Sequence, residues 1–427
     1  MKRGNATRLG PTLTLLLAGA CSSSSNGNPG SGGVDAATAD GPPSDGGFNL
    51  APFSPPPTNA GAGSVIFSAS GEALAYSGYD FPPAMDGDPT FADGWQIKFN
   101  RLLVTIDKIT LSSNPDKVTT DQSQTGPVVA EADGPWAVDL VPKGPLQGKG
   151  GADETAIPIA YLGNQNRNGN MPFETASGTK YAFGFDLVAA TAGAQNVNLD
   201  PAALADYRQM VQDGCVVLYS GTATFKGGAD CTPTGGELDT IPRSVNFRFC
   251  FRSPTSYINC QDGSNDGTPL NANEEHPRGL AFATNAAVVA QVTVHTDHPF
   301  WDRLEHDSPA HFDQFAARTV GATVPATVTL DDVKGVDYTA FTDKAGAKLP
   351  FRTCLPRAKF PNSGEDPTPP TDQMHFDPLN VLKVPPTGDP RTGFRDYYDY
   401  TTYNQSTQGH LNSDGLCFVK RHYDSPL

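Results

Sequence analysis

The chain predicts a mainly β protein, an antiparallel β sandwich with a few short helices and a loop-rich, disulfide-held C-terminal wrap. Three observations carry that expectation. Short β-branched and aromatic runs recur between clusters of Gly, Pro, Asn and Asp, and the chain holds 44 glycines and 38 prolines. No βαβ rhythm and no internal repeat is visible. Six cysteines, Cys215, Cys231, Cys250, Cys260, Cys354 and Cys417, lie in the second half.

The strand-like runs are Ser64 to Phe67, Trp95 to Leu111, Trp136 to Val141, Tyr181 to Val188, Cys215 to Thr224, Ser244 to Arg252 and Ala286 to His295. In the longest, Leu103, Ile106 and Ile109 do not share a parity, so a bend or bulge is expected near Thr105 or Asp107. One helix is expected at Pro201 to Gln212, with Asp200 as N-cap, Pro201 at its first position and Gly214 as its stop. These elements place a β-sandwich domain at residues 63–324. Residues 325–427 have another texture: a strand at Val324 to Leu330, a helical turn or two at Asp331 to Phe341, and a Pro-rich meander from Pro356 to Arg391. We read this part as a loop-rich wrap packed on the β domain.

The chain opens with Lys2, Arg3 and Arg8, then the apolar run Leu13 to Leu17, then Ala18-Gly19-Ala20-Cys21. Charged, apolar and small-residue regions in that order form a secretory signal, too short to span a bilayer as a helix. The segment resembles the signal of bacterial lipoproteins, with Ala18 where leucine is commonest and Leu17 one place early. The resemblance implies a signal peptide at residues 1–20 and lipidation of Cys21 as the mature N-terminus. With Ser22 rather than Asp next in line, it also implies the outer membrane, facing periplasm or cell surface. Residues 21–62 would then be a lipidated cysteine and a disordered tether, since SSSSNGNPGSGG and its Pro-rich continuation hold too few large apolar groups to offset chain entropy. A coil of about 40 residues reaches roughly 35 Å. As a whole the chain resembles uncharacterised bacterial surface lipoproteins with a β-rich domain, a likeness that implies no chemistry.

An even number of cysteines after Cys21 in an exported chain reads as three disulfides, and proximity suggests Cys250 with Cys260, Cys215 with Cys231, and Cys354 with Cys417. The absence of C-x-x-C argues against a thiolate zinc site or a redox dithiol. The formal charge of −16 becomes about −19 once Lys2, Arg3 and Arg8 leave with the signal, which argues against nucleic acid as a partner. Acidic exported chains often bind calcium. Asp262-Gly263-Ser264-Asn265-Asp266-Gly267 resembles the start of a calcium loop, whose ligands would be Asp262, Ser264, Asp266 and Glu274. Asn273 stands where a bidentate Glu is wanted, with Glu274 one place late, and a plain turn uses the same residues.

The densest chemistry lies in Gln291 to Arg318, which holds His295, His298, His306 and His311, four of the eight histidines. Imidazole and carboxylate together are the usual ligands of copper or zinc. His295 and Asp297 fall on one face if the strand persists, while His298 can turn in only after the strand has stopped. Pro299 can begin a turn over Phe300 to Glu305, and Ser308 with Pro309 reads as a second helix start. His375 and His410, in the wrap, can add further ligands. The plain alternative is that Trp301, Phe300, Phe312 and Phe315 make this stretch a piece of core with capping histidines.

No G-x-S-x-G, H-E-x-x-H, P-loop or dinucleotide glycine pattern occurs, and no catalytic residue is assigned. His295-Thr296-Asp297-His298 resembles the second half of the H-x-H-x-D-H signature of the metallo-β-lactamase fold, but Thr293 occupies the first histidine's place and no αββα rhythm surrounds it. The sequence therefore supports a lipid-anchored, extracytoplasmic β protein that binds copper or zinc at its His/Asp cluster. The alternatives are a metal-dependent hydrolase on the same residues and a metal-free surface adhesin or scaffold. The protein or surface partner is not legible.

Overall fold

Around the long strand Trp95–Ser112 the larger of two sheets is assembled. Its first half alternates, burying Trp95, Ile97 and Phe99 on one face, and both faces become buried after Arg101. Leu103 then joins Tyr207 and Met210 of the helix Pro201–Asp213 in one apolar cluster, while Ile106 and Ile109 face the main core. The mixed parity has a local cause: the register against the strand Lys180–Leu187 shifts between Asp107 and Thr110, and Lys108 sits at φ 44°. Asp107 Oδ1 accepts from the backbone N–H of Lys108 and Gly134, each at 2.8 Å, and so holds the bulge.

The structure is a computed structural model that describes residues 48–57, 60–141, 144–151, 153–163, 179–272, 274–282, 286–302, 309–338, 340–355 and 394–422. Phe48–Leu427 forms one unit. The fold is mainly β, with a 12-stranded and a 5-stranded sheet. Most ladders are antiparallel, but Val65–Ser70 runs parallel to Val288–Val294 and Ser244–Phe251 parallel to Ala326–Thr329. The two sheets share a core, and Phe67 of the smaller meets Phe183 of the larger at 6.0 Å between ring centroids. Val288–Val294 is an inner strand, and its residues 290–294 are buried on both faces, which fits its almost continuously apolar run.

The expected helix is present, with Asp200 Oδ1 accepting from Ala203 N at 2.7 Å and Gly214 closing it at φ 68°. Two expectations near the histidines change. The helix placed at Pro309 begins only at Asp313, because Ala310 bridges both Phe91 and Trp301 and His311 N donates to Phe300 O, which keeps Pro309 to Phe312 out of the helix. The helical turns expected to reach Phe341 shrink to Leu330–Val333. At the other end, the described fold starts inside the stretch read as tether. Phe48 and Leu50 pack on the Tyr207 cluster, and Ala51–Pro52 pairs with Gln195–Asn196.

The C-terminal segment enters both sheets. Gly409–Leu411 pairs with Val288–Val294 in the smaller one, and Phe418–Arg421 pairs with Thr255–Ile258 at an edge of the larger. The helix Tyr397–Ser406 packs on the histidine segment, with Tyr400 Oη donating to Trp301 O at 3.0 Å.

Three disulfides form, but none with the expected partner: the pairs are Cys215–Cys250, Cys231–Cys354 and Cys260–Cys417. Short loops close most cheaply in a free chain, but here strand register decides. Leu218 pairs with Cys250, and Val217 with Phe251, which brings Cys215 alongside. The Thr232 and Thr353 bridge aligns Cys231 with Cys354, and the ladder ending at Ile258 and Phe418 aligns Cys260 with Cys417. With separations of 35, 123 and 157 residues, the chain-entropy model gives each about 4 to 5 kcal/mol.

Candidate metal centre

Three histidines converge where the smaller sheet ends. Val294 closes the central strand and leaves His295 at its tip. The chain then turns, and a short 3-10 helix, His298–Phe300, brings His298 back over His295. His410 arrives from the neighbouring strand, opposite Thr293 in the ladder, and His295 N donates to Gln408 O at 3.2 Å to extend that pairing. Because Thr293 and His295 are two apart, His410 and His295 share a face of the sheet. Gly409 is required beside His410, since a Cβ there would lie 2.5 Å from the Tyr257 ring.

One ligand nitrogen from each of His295, His298 and His410 lies within 4.8 Å of the other two. Ring centroids are 4.3 Å apart for His295 and His410, 5.3 Å for His295 and His298, and 5.5 Å for His298 and His410. His298 and His410 are each 1 % exposed, whereas the His295 side chain keeps 15 %, so the cluster meets solvent on the His295 side.

Surrounding groups hold the rings. Thr407 Oγ1 donates to Asn404 O at 2.7 Å, so the same oxygen accepts from His298 Nδ1 at 2.7 Å. That places the proton on Nδ1 and turns the Nε2 lone pair outward, the arrangement a metal-bound imidazole needs. Trp301 stacks on the His298 ring at 3.8 Å and donates from Nε1 to Asp297 Oδ2 at 3.2 Å. Tyr219 Oη reaches both Gln408 Oε1 and His295 O, and Tyr79 Oη meets Thr296 Oγ1 at 2.7 Å. Burial first, with the charge of Asp297 adding to it, pushes both phenols well above their ordinary range. They stay protonated at neutral pH and serve as hydrogen-bonding struts.

A carboxylate that the sequence reading did not single out stands beside the trio. Glu72 Oε2 lies 3.7 Å from His295 Nε2, a buried nitrogen with no hydrogen-bond partner. Ser413 Oγ donates to Glu72 Oε1 at 2.7 Å, and Glu72 N donates to Ser70 Oγ at 2.8 Å. Glu72 also holds φ 56°, a left-handed conformation that costs a non-glycine residue about 1 to 3 kcal/mol. No local pattern announces it. It reaches the site because Ser70, Thr293 and His410 lie in one row across three strands.

Of the residues the sequence singled out, the structure brings together His295, His298 and His410. Asp297 lies at the turn bonded to Trp301 rather than beside His295, because the extended chain stops at Val294. His306 and His375 lie outside the described residues.

His311 belongs to a different, buried network. Its Nε2 is 3.3 Å from Asp302 Oδ2 and its Nδ1 3.9 Å from Asp93 Oδ2. Asp93 Oδ2 accepts from Phe312 N and Asp313 N, each at 2.7 Å, and Asp313 is forked by Arg352 and bonded by Trp95 Nε1 at 2.8 Å. Burial, and next the charge of Asp313, push Asp93 up to about 7. Burial alone would depress His311, but its hydrogen bond to Asp302 and the charges of Asp302, Asp93 and Asp313 raise it. This is a buried ionic knot, tying three segments of chain.

In the candidate calcium loop, one oxygen each of Asp262 and Glu274 is engaged by protein donors. Asp262 Oδ1 accepts from Ser264 N, Ser264 Oγ and Asn412 Nδ2 at 3.1, 2.6 and 2.8 Å, while Glu274 is held by Arg278. Among the described residues, His295, His298 and His410 are the group of ligand side chains that converges. No helix among them is long and apolar enough to cross a membrane. No protein-family model, no curated protein and no solved structure matches the chain.

Proposed function

We propose that this chain is an exported, lipid-anchored protein whose β-rich domain binds a transition metal, copper or zinc, through His295, His298 and His410. The observation that carries the reading is the convergence of three imidazoles from two separate segments, with Thr407 directing the Nε2 lone pair of His298. Bonds of 2.0 to 2.1 Å in a tetrahedral site put ligand nitrogens about 3.3 Å apart, so side-chain rotations of modest size close the rings on one ion. Imidazole donors suit zinc and copper, and the cysteines after Cys21 are committed to disulfides. Glu72 is the carboxylate that orients His295 or completes the ligand set from its solvent side. Cys21 supplies the anchor and the polar segment after it the reach.

A second reading, metal-dependent hydrolysis, draws on the same carboxylate. A three-histidine site leaves a position for water, and Glu72, whose side chain is 31 % exposed, is placed to take its proton.

Elemental analysis of the purified full chain tests the proposal. One copper or zinc per chain is expected, lost when His298 and His410 are both replaced by Ala. A double variant that keeps its metal overturns the reading. Turnover of activated esters or phosphoesters that vanishes in Glu72→Gln, with the metal retained, would select the hydrolase over the binding protein.

A further inference from the structure

Between the turn that follows the strand Ala326–Thr329 and the hairpin closed by Thr342 and Lys348 lies a cleft of about 510 Å3. That volume is typical of sites for small molecules, which run from about 300 to 1,000 Å3. Its lining among the described residues holds Arg318, Lys334, Lys344 and Lys348 against Asp332 and Asp337, with no aromatic side chain. A positive excess here runs against the chain's formal charge of −16.

The cations are unevenly matched. Lys334 pairs with Asp331 at 2.6 Å. Among the described residues, Lys344 bonds a carbonyl, that of Val320 at 3.3 Å, and no carboxylate. Arg318 is 8 % exposed, and its hydrogen bonds run from Nη2 to the carbonyl and hydroxyl of Thr342. Its Nε is buried with no partner, and among the described residues no carboxylate lies within 4.0 Å of the guanidinium. The carboxylates that act on it from farther off are Asp343 and Asp332. Both are engaged elsewhere, Asp343 with Ala347 N at 2.8 Å and Asp332 with Thr329 N and Oγ1 at 2.8 Å each.

A largely buried guanidinium with no carboxylate in contact among the described residues is costly, and a guanidinium is well suited to the oxygens of an anion. We propose that this cleft binds a small oxyanion, a phosphate or sulfate group borne on a sugar-sized molecule, with Arg318 as its anchor and Lys344 and Lys348 closing over it. The cleft is too large for a bare phosphate, and its polar walls suit a hydroxylated carrier better than an apolar one.

Isothermal calorimetry on the full chain at fixed ionic strength tests this with inorganic phosphate, inorganic sulfate, glucose 6-phosphate and glucose. The expected result is saturable binding of the sugar phosphate, weaker binding of the inorganic anions and none of glucose. Lys344→Glu with Lys348→Glu, both exposed positions, should abolish the binding while circular dichroism stays unchanged. Arg318→Lys, which keeps the charge but loses the fork, should weaken the sugar phosphate more than inorganic phosphate. Absence of saturable binding by any anion, or undiminished binding in the charge-reversed variant, overturns the proposal. Retained metal content in every variant keeps this outcome separate from that of the histidine site.

Discussion

His410→Ala offers the sharpest test of the metal centre, because the structure fixes the number that should change. Each imidazole must shed its proton to ligate, so each ligand contributes up to one decade of apparent affinity per pH unit once the medium is acid enough to protonate it. Three histidines converge, so on the acid side the plot of log Kd against pH should approach a limiting slope of three, and His410→Ala should reduce it to two. The same count appears as protons released on binding, measured by calorimetry in two buffers of different ionisation enthalpy. His295→Ala should behave alike, whereas His311→Ala, in the buried Asp93 network, should leave the slope at three. A wild-type slope near one, or a slope that His410→Ala leaves unchanged, would refute the shared site whatever the affinity.

Copper(II) bound at His298 would sit against Trp301, one of three tryptophans, so saturating copper should quench up to about a third of the emission and Trp301→Phe should remove that fraction; full emission at saturation counts against His298 as a ligand. Asp93 at about 7 and Asp139 at about 6 bind protons more readily folded than unfolded, and His311 is raised as well. The two carboxyls therefore make the metal-free protein lose stability as pH rises from about 4 through 7, His311 adds its own loss only above about 6.5, and Asp93→Asn should flatten the slope on the acid side; a Tm that climbs steadily between pH 5 and 8 contradicts it. Cys21→Ala should move the protein from the membrane fraction to the soluble one, since each buried methylene of an acyl chain contributes about 0.8 kcal/mol; a variant that still needs detergent would refute lipid anchoring.

What the sequence made legible was local. The strand runs, the Asp200-capped helix and the bulge beyond Thr105 follow from periodicity and capping, which act over a few residues. The disulfide pairing failed because proximity along the chain is a rule for the unfolded state, whereas Cys250 meets Cys215 through a ladder of eight paired residues.

The same distinction explains the site. His295 and His298 could be paired from sequence because only a strand end and a tight turn separate them. His311, only 13 residues beyond His298, was drawn away because Ala310 bridges Phe91 and Trp301, which commits its ring to Asp93 and Asp302 instead. His410 was one candidate among several until strand pairing set it opposite Thr293. Glu72 was out of reach altogether. Its placement needs the parallel pairing of Ser70 with Thr293 and a backbone at φ 56°, and neither leaves a trace in composition or spacing. The left-handed backbone is held at Glu72 by Ser70 on one side and Ser413 on the other, both of which belong to the strand row that carries His410 or its adjoining turn. If that constraint exists only to aim the carboxylate, Ser413→Ala should weaken metal binding at His295 without unfolding the sheet. The strain then reads as part of the site rather than as a defect of the turn.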